Sequence, residues 1–236
     1  MTGGSLLRPG AARLRIVPWR GDAAVALVAP LPGAPLPTAE VVRRCVDDLG
    51  DRGVRRVVTG ALAPPEREPF ERAGFELRER LHLLAHDLVD VPRASAPGHR
   101  RGRRGDRVDV LALDRLAFDE FWWLDAPGLD DAIRATPAAR FRVVAGEAIH
   151  AYAITGRSGR RGYLQRLAVH PRHRHQGLGA GLAADGLRWL RRHGAAQALV
   201  NTQHGNSGAL ALYERLGFRH LPHGLVVLSR DVGGSR

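Results

Sequence analysis

Short apolar runs broken by turn residues open the chain. Leu14–Val17 and Val25–Ala29 have extended character, and Arg20-Gly21-Asp22 between them reads as a turn. Prolines 30, 32, 35 and 37 follow. Thr38 then offers a cap to an amphipathic helix reaching Asp51, with Val41, Val42, Cys45, Val46 and Leu49 on one face. Val54–Thr59 is a predicted strand, Glu66–Ala73 a short helix and Phe75–Asp87 a strand. Val91–Gly98, rich in Pro, Ala and Ser, reads as a linker. Beyond it His99–Arg104 is extended, and Asp106 caps a helix from Arg107 to about Phe121. Gly128–Ala135 is a shorter helix. Arg140–Ala145 and Ala148–Thr155 form a hairpin, and Tyr163–Val169 is the next strand. The loop His170–Gln176 leads into a helix over Gly177–His193. Ala196–Asn201 is a strand, Ser207–Leu216 a helix, and Phe218–Leu228 closes in extended form. Strands alternating with helices give an α/β or α+β class.

A repeat underlies this pattern. Displaced by 141 residues, Val25–Pro30 lies on Arg166–Pro171, and the Thr38–Asp51 helix lies on Gly179–Arg192. With a slip of two more, FERAGF (Phe70–Phe75) lies on YERLGF (Tyr213–Phe218). The copies therefore read as two related half-folds, the first truncated. Where the second copy has a glycine-bearing loop, the first has Pro32, Pro35 and Pro37, which lack an N–H. Where the second has Tyr213, the first has Phe70. The expected organisation is a flexible terminus over 1–12, a degenerate half-domain over 13–91, a linker over 92–98, a catalytic domain over 99–232 and a tail over 233–236.

Composition narrows the class. The 236 residues are 44% hydrophobic and 25% charged, which supports a packed core. One cysteine, Cys45, excludes a disulfide framework and a cysteine-based zinc site. No run of 18 apolar residues spans a bilayer, and Met1–Arg20 contains no signal-peptide apolar segment, so a cytoplasmic protein is expected. The net charge is +12, and every basic residue other than histidine is arginine. Such a surface attracts anions, but few aromatic residues accompany it as stacking platforms, which argues against a nucleic-acid partner, the run Arg100–Arg104 included.

The chemistry concentrates between Gln165 and Phe218. A strand ends at Pro171 and a helix begins near Gly177. Free amides at a helix start, close-approach glycines and the loop arginines Arg172 and Arg174 together describe a pyrophosphate site. Downstream, Asn206 opens a helix that carries Tyr213. Each has a plainer reading, Asn206 as an N-cap and Tyr213 as a core-edge tyrosine. His170, His173 and His175 alternate along the loop without an acidic or cysteine partner nearby, and no metal site is expected.

Taken in order, LAVHP, RHQGLG, VNT and N-x-x-A-L-x-L-Y-E-R-L-G-F resemble the GNAT superfamily of acyl-CoA-dependent N-acyltransferases. The loop pattern Q/R-x-x-G-x-G/A falls on Arg174, Gly177 and Gly179. The resemblance implies a mixed, mostly antiparallel central sheet flanked by helices, preceded here by a degenerate half-unit. It implies acetyl-CoA as co-substrate, no metal, and an amine acceptor. Backbone amides of Arg174, His175, Gln176, Gly177, Leu178 and Gly179 would hold the pyrophosphate. Leu167, Ala168 and Val169 would pair with the pantetheine arm where two strands splay, and Asn206 would contact the pantetheine or the phosphate. Tyr213 would protonate the departing thiolate. The base stays unassigned, because Gln165 and Arg166 stand where some relatives carry a carboxylate; water or Asp125 are the candidates. The tandem layout resembles mycothiol-type synthases of the superfamily in architecture only.

Residues 109–131 hold seven acids against the single base Arg115, together with Phe121-Trp122-Trp123. An acidic, aromatic wall suits a cationic amine, so Trp122, Trp123 and Asp125 are expected to line the acceptor pocket; the alternative is core tryptophans beside a solvated acidic face. The competing function is a non-catalytic acyl-CoA-binding module whose arginine surface docks nucleic acid or an acidic partner.

Overall fold

The computed structural model describes residues 13–31 and 33–233, together with the backbone of Ser5–Leu7. The expectations for residues 1–12 and 233–236 lie largely outside the described residues. In chain order the elements are β1 (Ser5–Leu7), β2 (Leu14–Trp19), β3 (Asp22–Pro30), α1 (Ala39–Asp51), β4 (Arg56–Thr59), α2 (Pro64–Arg72) and β5 (Glu76–His86). Then come β6 (His99–Arg101), α3 (Arg107–Ala117), α4 (Ala126–Arg134), β7 (Ala138–Ala145), β8 (Ile149–Ser158) and β9 (Arg161–Val169). The chain closes with α5 (Leu178–Arg192), β10 (Gln197–Gln203), α6 (Ser207–Arg215), β11 (Arg219–His220) and β12 (Leu225–Asp231). The chain forms two compact units, one of residues 1–82 with 222–236, the other of residues 83–221.

In the first unit β1, β2 and β3 run antiparallel. The β2–β3 turn sits at Arg20 and Gly21, both at positive φ, 55° and 74°, as tight hairpins require. β3 and β4 are parallel, and β12 runs antiparallel between β4 and the start of β5. Thr38 caps α1 by accepting the Val41 N–H. Val42, Cys45, Val46 and Leu49 bury the helix face against Leu14, Val28, Val57 and Phe70. Cys45 is thus a core residue, its thiol pushed up to about 11 by burial and then by Asp48.

In the second unit β6, β7, β8 and β9 form an antiparallel series, and β10 joins β9 in parallel. The apolar faces of α3 and α4 pack with Val143, Tyr152, Ile154 and Ala168. α5 packs with Leu164, Ala198 and Val200. This is the mixed, mostly antiparallel sheet with flanking helices that was expected.

Several expectations are corrected. α3 ends at Ala117, not near Phe121, because Phe118 turns extended and the chain folds back to bring the Leu124 N–H onto the Asp114 carboxylate, 2.6 Å away. Asp106 does not cap α3; its carboxylate accepts from the Arg103 N–H and is bound in bidentate fashion by Arg100. α4 starts at Ala126 rather than Gly128, with Asp125 as its cap. Phe218–Leu228 is not one strand, since β11 ends at His220 and β12 starts at Leu225. Residues 92–98 do not behave as a linker. Ala96 is buried, Arg188 donates to the carbonyls of Pro92 and Ala94, and Gly181 lies so close to the Ser95–Ala96 backbone that a Cβ would come within 2.2 Å of the Ala96 nitrogen. The expected division at 91 and 99 accordingly falls at 82 instead, and β12, assigned to the catalytic domain from sequence, belongs to the first unit through its ladder with β4.

Candidate active site

The strand–loop–helix from β9 to α5 is built around one glycine. Gly177 stands before α5 with φ 78°, a left-handed conformation that side chains resist, and a Cβ there would meet nothing within 4 Å. It has no side chain with which to cap the helix. The first intrahelical bond runs from the Gly181 N–H to the Gly177 carbonyl, 2.9 Å. The N–H groups of Leu178, Gly179 and Ala180 therefore have no intrahelical acceptor, and they point out where the helix dipole is positive. At Gly179 a Cβ would meet Leu212 and Val169 at 3.4 Å, an ordinary van der Waals distance. The preceding loop turns through a short 3-10 segment at Pro171–His173, and His175 adopts φ 62°. Arg172, Arg174, His175 and Gln176 are exposed around it. His173 stacks on His150 with ring centroids 3.9 Å apart. Among the described residues no group of three or more metal-binding side chains forms.

The edge of β9 toward β10 is open. Their parallel register covers only Arg161, Gly162 and Tyr163 opposite Gln197, Ala198 and Leu199. Past Tyr163 the strands part, while β9 stays paired with β8 through Val169. Leu167, Ala168 and Val169 thus lie on a strand with one neighbour. A bulge marks the parting point: Arg166 pairs with Ile154 and Leu164 with Thr155, so Gln165 is the extra residue. Gly156 makes room for it, since a Cβ there would be 2.7 Å from the Gln165 amide.

Tyr213 projects from α6 into the second unit's core, 6% exposed, edge-on to Phe218. Burial pushes its phenol up to about 12, and the positive charge of Arg166 pulls the other way. Asn206 caps α6, its side-chain oxygen accepting the Ala209 N–H at 3.1 Å. That leaves its amide nitrogen as a donor.

On the other face, the structure joins residues that the sequence kept apart. Asp114 is fully buried and accepts from Arg166 Nε and Nη2, both 2.8 Å, from the Leu124 N–H, and from the Tyr152 hydroxyl. Burial, and next the opposing charges of Arg166 and Asp114, leave the Tyr152 phenol raised well above its ordinary value. Arg166 also donates to the Trp122 carbonyl at 2.6 Å and lies 3.5 Å over the Phe118 ring. Trp122 stands edge-on to Phe121, and Trp123 lies under the Arg115 guanidinium. Asp125 spends one carboxylate oxygen on the Gly128 N–H. Sequence reasoning missed Asp114. An acid at a core position of α3, in phase with Val110 and Leu113, was the available signal.

Residues 110–218 match the Acetyltransferase (GNAT) family. They belong to the GNAT family. The GNAT segment thus covers Asp114, Arg166, the Gly177 loop and Tyr213 and lies wholly within the second unit. A mycothiol acetyltransferase from Salinispora arenicola is 36% identical over 99 residues, 41% of this chain and 30% of that protein. One from Catenulispora acidiphila is 24% identical over 198 residues, 72% of this chain and 59% of that protein. The chain therefore spans between 30% and 59% of the length of these two relatives. Among solved structures, a GCN5-related N-acetyltransferase from Sphaerobacter thermophilus has a TM-score of 0.64 at 17% identity, covering 94% of this chain and 77% of that one. A tandem GNAT protein from the clavulanic acid biosynthesis pathway has a TM-score of 0.66 at 18% identity, covering 97% and 82%. These likenesses agree on the GNAT fold.

Proposed function

We propose that this protein is an N-acetyltransferase that moves an acetyl group from acetyl-CoA to a primary amine by direct attack in a ternary complex. The observation that carries the reading is the open β9 edge beside the uncapped start of α5. An extended pantetheine arm would hydrogen-bond Leu167–Val169 as an added strand, and its pyrophosphate would take the N–H groups between Arg174 and Gly179. The Asn206 amide nitrogen would donate to the same arm. The thioester then lies near the bulge at Gln165.

The amine nitrogen attacks the thioester carbon and the C–S bond breaks with its electron pair on sulfur. Tyr213 gives its phenolic proton to that sulfur, and the amine's proton leaves to solvent. A buried phenol raised to about 12 keeps its proton at every working pH until sulfur takes it. Trp122, Trp123 and Asp125 form the acceptor wall, with Asp125 fixed by its capping bond. No helix among the described residues is long and apolar enough to cross a membrane.

The first unit is read as a second, degenerate copy. Displaced by 143 residues, α2 (Pro64–Arg72) falls on α6 (Ser207–Arg215) end to end. Likeness to mycothiol acetyltransferases favours an acceptor akin to the one those proteins are named for.

Thiol release from acetyl-CoA across a panel of amines tests the reading. Turnover is expected with at least one amine, and Tyr213→Phe is expected to lower kcat by about 100-fold with little change in acetyl-CoA affinity. Binding of acetyl-CoA without turnover on any amine would establish the non-catalytic module instead.

A further inference from the structure

Residues 170–176 join β9 to Gly177, and their placement decides where the free N–H groups of the loop point. Among the described residues, the hydrogen bonds of 171–176 stay inside this segment. The Arg172 N–H meets His170 Nδ1 at 3.2 Å, the His173 N–H donates to the His170 carbonyl at 2.8 Å, and the Arg174 N–H reaches the Pro171 carbonyl at 3.4 Å. The Gln176 side chain lies 3.4 Å from both His173 Nδ1 and the Arg172 carbonyl. Bonds this local set the shape of a turn but do not fix it against the strands it leaves.

The outside hold comes from β8. The His150 carbonyl accepts the His170 N–H at 2.8 Å, and the His150 ring stacks on the His173 ring, centroids 3.9 Å apart and planes 17° from parallel. One residue thus grips the segment twice, by main chain at its root and by ring at its middle. His170 stands edge-on to His173 at 5.7 Å. The His150 ring is itself seated on Gly146, in the β7–β8 turn, where a Cβ would come within 2.5 Å of its Cε1.

We propose that His150 is a positioning residue for acetyl-CoA: its ring, stacked on His173, holds residues 170–176 in the shape that aims the N–H groups between Arg174 and Gly179 at the pyrophosphate. The inference rests on the reading of that loop as the pyrophosphate cradle. A loop ordered before binding loses less conformational freedom when the diphosphate arrives, so the stack acts on affinity. The thioester end is held by β9, which keeps its ladder with β8 whatever the His150 ring does, so the chemical step is left alone.

His150→Ala is expected to raise the Kd for acetyl-CoA by calorimetry, and its KM, about tenfold, with kcat at saturating acetyl-CoA within about twofold of the parent. His150→Phe keeps a flat ring for His173 to stack on and is expected to hold the Kd within about threefold of the parent. Gly146→Ala reaches the same ring from the turn, without altering the loop, and is expected to raise the Kd in the same direction as His150→Ala. Unchanged affinity in His150→Ala, a loss in kcat in place of a rise in KM, or a His150→Phe protein no better than His150→Ala would overturn the proposal. Should His150→Ala fail to fold, Gly146→Ala decides: a weaker Kd supports the proposal and an unchanged one overturns it. Failure of the underlying reading shows separately, as full acetyl-CoA affinity in Gly177→Pro protein.

Discussion

Two strand–loop–helix segments in this chain begin from similar sequence and finish differently. In the first unit β3 and β4 stay paired over the whole of β4, from Arg56 to Thr59. A side chain, Thr38, closes the start of α1. In the second unit β9 and β10 pair over three residues and then part, and α5 starts on a glycine that cannot cap it. The first arrangement satisfies its own backbone; the second leaves donors and a strand edge for something else to satisfy. A binding site of this kind is a place where folding stops short of completing its hydrogen bonds.

The interiors differ in the same sense. Among the described residues, the buried polar side chains of the first unit come down to Thr59, whose hydroxyl accepts the Leu228 N–H. The second unit buries Asp114 and Asp185 along with His86, Thr155 and Thr202. Asp185, on α5, is gripped by Arg140 at 2.7 and 2.9 Å, with Arg142 and His99 each at 3.5 Å.

The sharpest way to break the comparison is Gly177→Pro. Proline cannot adopt φ 78° and removes an N–H from the cradle, so acetyl-CoA affinity by calorimetry is expected to drop about 100-fold or more. Pro35→Ala and Pro37→Ala in the first unit's loop are expected to leave it unchanged. Equal affinity after the glycine change would mean that the loop is not the site.

Acid separates the two interiors next. Burial pushes the Asp185 carboxyl up, but the Arg140 hydrogen bonds and the charges of Arg140, Arg142 and His99 outweigh it and hold the group below its ordinary range. Arg100 first, and then the Arg103 N–H, hold Asp106 down to about 2. A carboxyl depressed on folding adds stability above its unfolded pKa of about 3.9, and that stability is lost as the pH falls toward the folded value. Hydrogen exchange is therefore expected to show the second unit losing protection before the first between about pH 4 and 2. Simultaneous loss would show that the buried carboxylates do not set the acid limit.

The smallest effect belongs to the cap. Thr38→Ala should cost about 1 kcal/mol of stability in a denaturant titration. Acetyl-CoA affinity should not move, because this helix start is already satisfied by its own side chain. A change in affinity would show that the first unit's loop also takes part in binding.

Patterns that act over a few residues could be recognised along the chain without coordinates. They include the apolar face of α1, the caps at Thr38 and Asn206, and the glycine before α5. Each depends on neighbours within about one helical turn, so the sequence carries the whole of the signal. Three features depended on the tertiary fold. The pairing of β9 and β10 stops at Tyr163, the bulge turns Gln165 out of the ladder, and the last strand closes the first unit rather than the second. Asp114 is the plainest case. In sequence it is one acid among seven; in the structure it binds Arg166, 52 residues away, and Tyr152, 38 away. A buried ion is tolerated only where distant groups converge on it, and that convergence is a property of the packed chain rather than of any window along it.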